Sequence, residues 1–178
     1  MRIRQLLLLA FYLLLHANGF TQTSTKKRAT PSVIYRCLPC GQECDNKDYS
    51  KPGQCTSCGM ELVNKASIRF GSISTAAICQ YIKTHPSVVL IDVRTKEEFE
   101  GKADPDFGGL ANSINIPVQE LEKRIPTLSA LKEKDIIVFC SHSHRSPRAA
   151  YLLGKNGFRK VNNMSGGMSV MKDKACKK

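Results

Sequence analysis

Apolar and polar positions along residues 66–178 alternate between two rhythms. Continuous runs rich in β-branched residues, 88–92 (Val-Val-Leu-Ile-Asp) and 136–139 (Ile-Ile-Val-Phe), read as strands buried on both faces. Around them, apolar residues fall at helical spacing. Ala77, Ile78, Tyr81 and Ile82 share one helix face, which His85-Pro86 brings to an end. Thr95 with Glu98 three residues later forms a capping box and predicts a helix through Glu100. Residues 118–131 read as one or two short helices broken at Pro126, and residues 147–155 as a helix stopped near Gly157. Further short strands are predicted at 68–70, 113–116 and 161–163. Strands and helices alternating at this spacing predict an α/β fold, a central and mostly parallel sheet flanked by helices. Catalytic loops in such folds lie at the carboxyl ends of strands.

The first third of the chain reads differently. Arg2 and Arg4 precede an apolar stretch from Leu6 to Leu15, and a polar segment follows to Gln22, the layout of a secretory signal peptide cleaved before Gln22. The apolar stretch is shorter than the roughly 20 residues of a membrane span, so no span is expected after removal of the leader. The expectation is an exported protein, periplasmic or secreted. Its parts would be a leader at 1–21, a flexible Thr/Ser/Lys-rich tether at 22–33, a cysteine-rich module at 34–65 and the α/β domain at 66–178. The 178 residues carry a net charge of +12, much of it in Lys26-Lys27-Arg28 and the lysine-rich tail. No basic-aromatic module accompanies that charge, so nucleic acid is not an expected partner, whereas attraction of small anions is.

The strand at 136–139 runs into Cys140, then into Ser141-His142-Ser143-His144-Arg145-Ser146, with Pro147 opening the next helix. A thiol between a strand end and a helix start meets backbone N–H groups and the positive end of a helix, and both favour the thiolate. Arg145, His142 and His144 add groups that can hold an anion. Cys140 is therefore the candidate nucleophile; the plainer alternative is a small buried residue closing a core strand.

These residues resemble the active-site loop of rhodaneses, sulfurtransferases of α/β fold, whose loop runs Cys-x-x-Gly-x-Arg. The resemblance extends to Ile91-Asp92-Val93-Arg94 with Glu98-Phe99, to Asn115-Ile116-Pro117, and to Val161 through Gly166-Gly167, four motifs in order over about one hundred residues. Three departures stand out. Ser143 replaces the loop glycine, residues 102–110 replace a short Gly-His-Ile segment, and the aromatic residue after the late Gly-Gly is missing. The resemblance implies that Cys140 takes sulfane sulfur from a small anionic donor such as thiosulfate and passes it, as a persulfide, to a thiol or cyanide. Cys140 and Arg145 would be catalytic, while Ser141, His142, Ser143, His144 and Ser146 would bind substrate. Asp92 and Arg94 are assigned to scaffold hydrogen bonding. Thiolate phosphatases and arsenate reductases use a loop with five residues between Cys and Arg. Here there are four, a smaller cradle suited to one sulfur atom.

Cys37-x-x-Cys40-Gly41 and Cys55-x-x-Cys58-Gly59 are two matching turns that can deliver four thiolates to one tetrahedral centre. With Tyr35, Pro52-Gly53 and Met60, they are similar to the heavy-metal-binding modules found near copper and zinc efflux proteins. Cys40 stands where that family has histidine, so the set is all sulfur. Zn²⁺ is expected, with Cu(I) as the softer alternative. Disulfides remain the competing reading for an exported chain with eight cysteines. Cys44 is either a fifth sulfur or a bystander; Cys79 is assigned to packing, and Cys176 is expected to be free. A rival from another class is a non-catalytic metal-binding or sensing protein whose second domain docks on a partner or carries sulfur to it.

Overall fold

The computed structural model describes residues 32–178. The leader expected at 1–21, and all but the last two residues of the expected tether, lie outside them. No helix among the described residues is long and apolar enough to cross a membrane.

Strands β1 (Tyr35–Arg36), β2 (Asp48–Tyr49) and β3 (Val63–Asn64) form a small antiparallel sheet in the order β2-β1-β3. Its core has one buried aliphatic residue, Leu62, among Cys37, Cys40, Cys44 and Cys55. So little apolar surface contributes little stability, and the sulfur cluster stands where a core would be.

The larger sheet contains β4 (Gly71–Ser74), β5 (Val89–Asp92), β6 (Ile114–Asn115), β7 (Asp135–Phe139) and β8 (Lys160–Ser165), ordered β4-β8-β7-β5-β6. Every pairing is parallel. Helices α1 (Ile78–Thr84), α2 (Lys96–Phe99), α3 (Val118–Arg124) and α4 (Arg145–Lys155) connect the strands. The central strand β7 explains why its apolar run is unbroken. Ile136, Val138 and Cys140 join one core with α3 and α4, while Ile137 and Phe139 join another with α1 and the methionines after β8.

Three expectations are corrected. The first strand of the domain is not at 68–70 but at Gly71–Ser74, where only Ile73 is even half-buried. It is an edge strand paired to β8 alone, so it needs no apolar run. Helix α4 begins two residues earlier than expected, at Arg145, so Pro147 sits inside the first turn, where its missing N–H costs no bond. Cys176 is not free, and Cys79 does more than pack: the two form a disulfide. The tail that carries Cys176 folds back on the 109–111 segment. The Ala111 N–H donates to the Cys176 carbonyl (2.9 Å) and the Lys178 N–H to the Gly109 carbonyl (2.9 Å).

Candidate functional site

Cys140 follows β7 directly and ends the central strand at its carboxyl edge. Its thiol is free and 1% exposed, and it shares a 3.3 Å hydrogen bond with the Ser146 hydroxyl in the first turn of α4. The loop alternates in burial: Ser141, Ser143 and Ser146 are buried, while His142 and His144 are exposed. The serines line the inside of the loop and the histidines its rim. His142 meets the edge of Phe107 at 5.4 Å, so the 102–110 segment forms part of that rim.

Ser143, where related loops have glycine, adopts the left-handed conformation that glycine would supply (φ 56°). Buried hydrogen bonds hold it there. Its hydroxyl donates to the Met164 carbonyl at 3.4 Å and accepts from the Asn163 side-chain amide at 3.2 Å. The late Gly-Gly pair has a separate task beneath the loop. The Met168 and Ser169 N–H groups donate to the Cys140 and Ser141 carbonyls (2.9 and 3.0 Å). A Cβ at Gly167 would run into those same carbonyls.

Arg145 is partly exposed and already carries a partner. Its guanidinium makes a two-pronged pair with Glu98, 2.6 Å on each side, and the Ser141 hydroxyl donates to the same carboxylate at 2.9 Å. Glu98 also accepts from the Thr95 backbone N–H (2.9 Å), closing the capping box expected from sequence. One carboxylate thus caps α2 and clamps both ends of the Cys140 loop. The pair braces the loop, and the same guanidinium lies close enough to Cys140 to interact with its sulfur. The pairing with Arg145 overcomes the opposing effect of burial, and with the Thr95 N–H and Ser141 it holds the Glu98 carboxyl down at about 2, against 4.5 for the free group.

Glu98 therefore links loop stability to pH. The unfolded chain binds the proton more readily than the folded one, so the contribution is complete above about 4.5 and disappears as pH falls toward about 2. Glu98→Gln is expected to cost on the order of 2 kcal/mol at neutral pH and to flatten the acid limb of the stability curve. Urea unfolding of both proteins between pH 7 and pH 2 checks this; parallel acid limbs would contradict it.

Beneath the rim, Asp92 and Arg94 form a fully buried ion pair. The Arg94 Nη2 and Nε groups reach the carboxylate at 2.7 and 3.0 Å, and Nη2 also donates to the Gly108 carbonyl at 2.8 Å. Asn115 donates to the backbone carbonyls of both residues (3.0 Å each). These bonds tie β5, an interior strand rather than the sheet edge expected for the pair, to β6 and to the segment around Gly108.

In the small module, the Cys37, Cys40, Cys44 and Cys58 sulfurs lie within 4.8 Å of one another, and Cys37 and Cys58 are 3.2 Å apart. A cluster of this kind could hold a metal ion. The set differs from the two matched turns by one residue: a 3-10 helix, Glu43–Asn46, carries the buried Cys44 into it, while Cys55, buried in the same cluster, lies 3.8 Å from the Tyr49 hydroxyl. Burial raises the Cys37 and Cys40 thiols strongly and takes Cys44 to about 11. Burial acts against Cys55 too, but the Cys58 and Ser57 N–H groups, the Tyr49 hydroxyl and the Cys58 thiol bring it down to about 6. So many buried sulfurs ionise together only around a cation, and the all-thiol set suits a soft or borderline one. A cleft of about 910 Å³ lies between this module and helices α3 and α4, with Cys58 and Met60 on one side and His144, Arg145 and Arg148 on the other.

Sequence reasoning did not find Asn163, Phe107 or the clamping role of Glu98. Glu98 carried two signals, its capping-box position and its place in the Asp92-to-Phe99 motif, but neither showed the clamp.

A parallel sheet that offers a free cysteine from its central strand, in a short loop running into a helix, defines a cysteine-loop α/β protein. The family model described as rhodanese-like domain matches residues 76–174, more than half of the chain, and the protein belongs to that family. It is similar to the uncharacterized protein YqhL of Bacillus subtilis (strain 168), 38% identical over 78 residues, covering 44% of this chain and 56% of that protein. Another relative from the same organism is YrkF, named as a candidate sulfur carrier protein, 34% identical over 96 residues, covering 54% of this chain and 48% of that one. The chain spans about half the length of these curated relatives. Among solved structures, SSP1007 from Staphylococcus saprophyticus subsp. saprophyticus matches at TM-score 0.50 and 21% identity, covering 61% of this chain and 100% of that one, a likeness of fold.

Proposed function

We propose that the protein is an exported sulfurtransferase that carries sulfane sulfur on Cys140. The Cys140 thiolate attacks the outer sulfur of a donor such as thiosulfate, the sulfur–sulfur bond of the donor breaks, and sulfite leaves with the bonding pair. The persulfide's outer sulfur then passes to a thiol or cyanide, and the Cys140 thiolate is regenerated. The observation that carries this reading is a free thiol at the carboxyl end of the central strand, enclosed by a braced loop that runs into the N-terminus of α4, a helix end that favours an anionic sulfur. Cys140 is only 1% exposed, so the reading calls for a small donor. His142 and His144, on the exposed rim, are the groups placed to meet one. Cyanide-dependent thiocyanate formation by folded wild-type protein tests the reading. Its absence would favour the sulfur-carrier alternative, to which the likeness to YrkF points.

The Cys cluster is proposed to hold Zn²⁺, or Cu(I) in its place, through Cys37, Cys40 and Cys58 with Cys44 or Cys55 as the fourth sulfur. A metal there would supply structure, since the module has almost no other core. Elemental analysis of purified protein is expected to find about one equivalent, and Cys37→Ser/Cys58→Ser to lose it; unchanged metal content would reject the site. The Cys79–Cys176 disulfide supports export into an oxidising compartment.

A further inference from the structure

The catalytic loop and the cysteine module meet at one buried side chain. Asn163, in β8, is fully buried, and its amide nitrogen donates twice. One bond, 3.1 Å, goes to the Pro39 carbonyl, inside the Cys37–Cys40 turn. The other, 3.2 Å, goes to the hydroxyl of Ser143, the loop residue held in the left-handed conformation. The amide oxygen has no partner among the described residues, so these two bonds are the side chain's hydrogen bonds there. A glycine at 143 would give the backbone its conformation without strain but would offer Asn163 nothing to hold. The serine therefore has a use that backbone geometry alone does not explain.

We propose that Asn163 is a positioning residue that couples the Cys37–Cys40 turn to the Cys140 loop, with Ser143 as its receiver. Fixing the sulfur cluster then also steadies the backbone around the catalytic thiol. By reciprocity, a change at the thiol alters the cluster to the same extent. The inference deepens the sulfur-transfer reading, but its test needs no sulfur chemistry, so the two can fail separately.

The turn provides its own reporter. The Cys40 and Gly41 N–H groups donate to the Asp45 carboxylate at 3.0 and 2.7 Å, so their hydrogen exchange reads the order of the turn. In the full chain as purified, Ser143→Gly is expected to speed exchange at Cys40 and Gly41 by about 3- to 10-fold, the worth of one buried hydrogen bond. Amides of α1 should change far less. Asn163→Asp keeps the shape and can accept from Ser143, but it has no N–H for Pro39. In that background, Ser143→Gly should no longer affect the turn. Coupling could instead run through Gly41, where an added Cβ would lie 3.1 Å from the Ser165 Cβ. In that case Ser143→Gly leaves Cys40 and Gly41 unchanged, and the proposal is overturned. It is equally overturned if the serine substitution acts as strongly in the Asn163→Asp background as in the wild type. The Ser143→Gly result stands alone should the Asn163→Asp protein fail to fold.

Discussion

Cys140→Ser is expected to abolish sulfur uptake while leaving the fold intact. The substitution exchanges sulfur for oxygen at a residue that already faces the Ser146 hydroxyl at 3.3 Å, so a hydrogen-bonding partner is waiting for the new group. The loop does not depend on the thiol for its shape. Glu98 pairs with Arg145 and Ser141, and the Met168 and Ser169 N–H groups hold the Cys140 and Ser141 carbonyls from below. What disappears is the nucleophile, because a serine hydroxyl at neutral pH has neither the ionised form nor the polarisability of a thiolate. Thiocyanate formation should drop by at least about 1000-fold, with an unfolding midpoint near that of the wild type. Persisting activity would remove Cys140 from the mechanism.

The largest effect on stability is expected at Arg94. Its pair with Asp92 is 0% exposed on both sides, and the carboxylate takes four hydrogen-bond contacts from the Arg94 side chain and backbone. Arg94→Met leaves that carboxylate buried without its counter-charge, at a cost of about 3–5 kcal/mol. Such a loss is a large share of the roughly 5–15 kcal/mol that holds a domain together. It would also release the Gly108 carbonyl, and with it the segment that carries Phe107 to His142. Asp92→Leu/Arg94→Met, which removes both charges, should be less damaging than the single change. Urea unfolding of the three proteins decides the matter. A single variant within about 1 kcal/mol of wild type would show that the pair is not the support described.

Much of this architecture is legible in the residues because it rests on local rules. The unbroken apolar run of β7 marks a strand covered on both faces, and Thr95 with Glu98 marks a helix start. Cys140 between a strand and a helix marks a thiol loop. What was not legible depends on residues far apart in sequence. An edge strand such as β4 needs one apolar side chain and leaves no run to read. Cys176, in a lysine-rich tail, gives no sign that the tail returns to α1, 97 residues earlier in the chain. Cys44 lies outside the matched Cys-x-x-Cys turns, so only the fold could bring it beside Cys37, Cys40 and Cys58. Ser143 reads as a poor substitute for glycine until Asn163 and Met164 supply partners for its hydroxyl. Arg145 reads as an anion receptor, and nothing in the spacing shows that Glu98, 47 residues earlier, also pairs with it.

Intact-mass spectrometry of the reduced, folded chain after brief exposure to thiosulfate tests the central claim most directly. The account predicts the addition of one sulfur atom per chain, located on the peptide carrying Cys140, removed by cyanide and absent from Cys140→Ser. An unchanged mass at Cys140, or sulfur gained only by the cysteines of the small module, would contradict it.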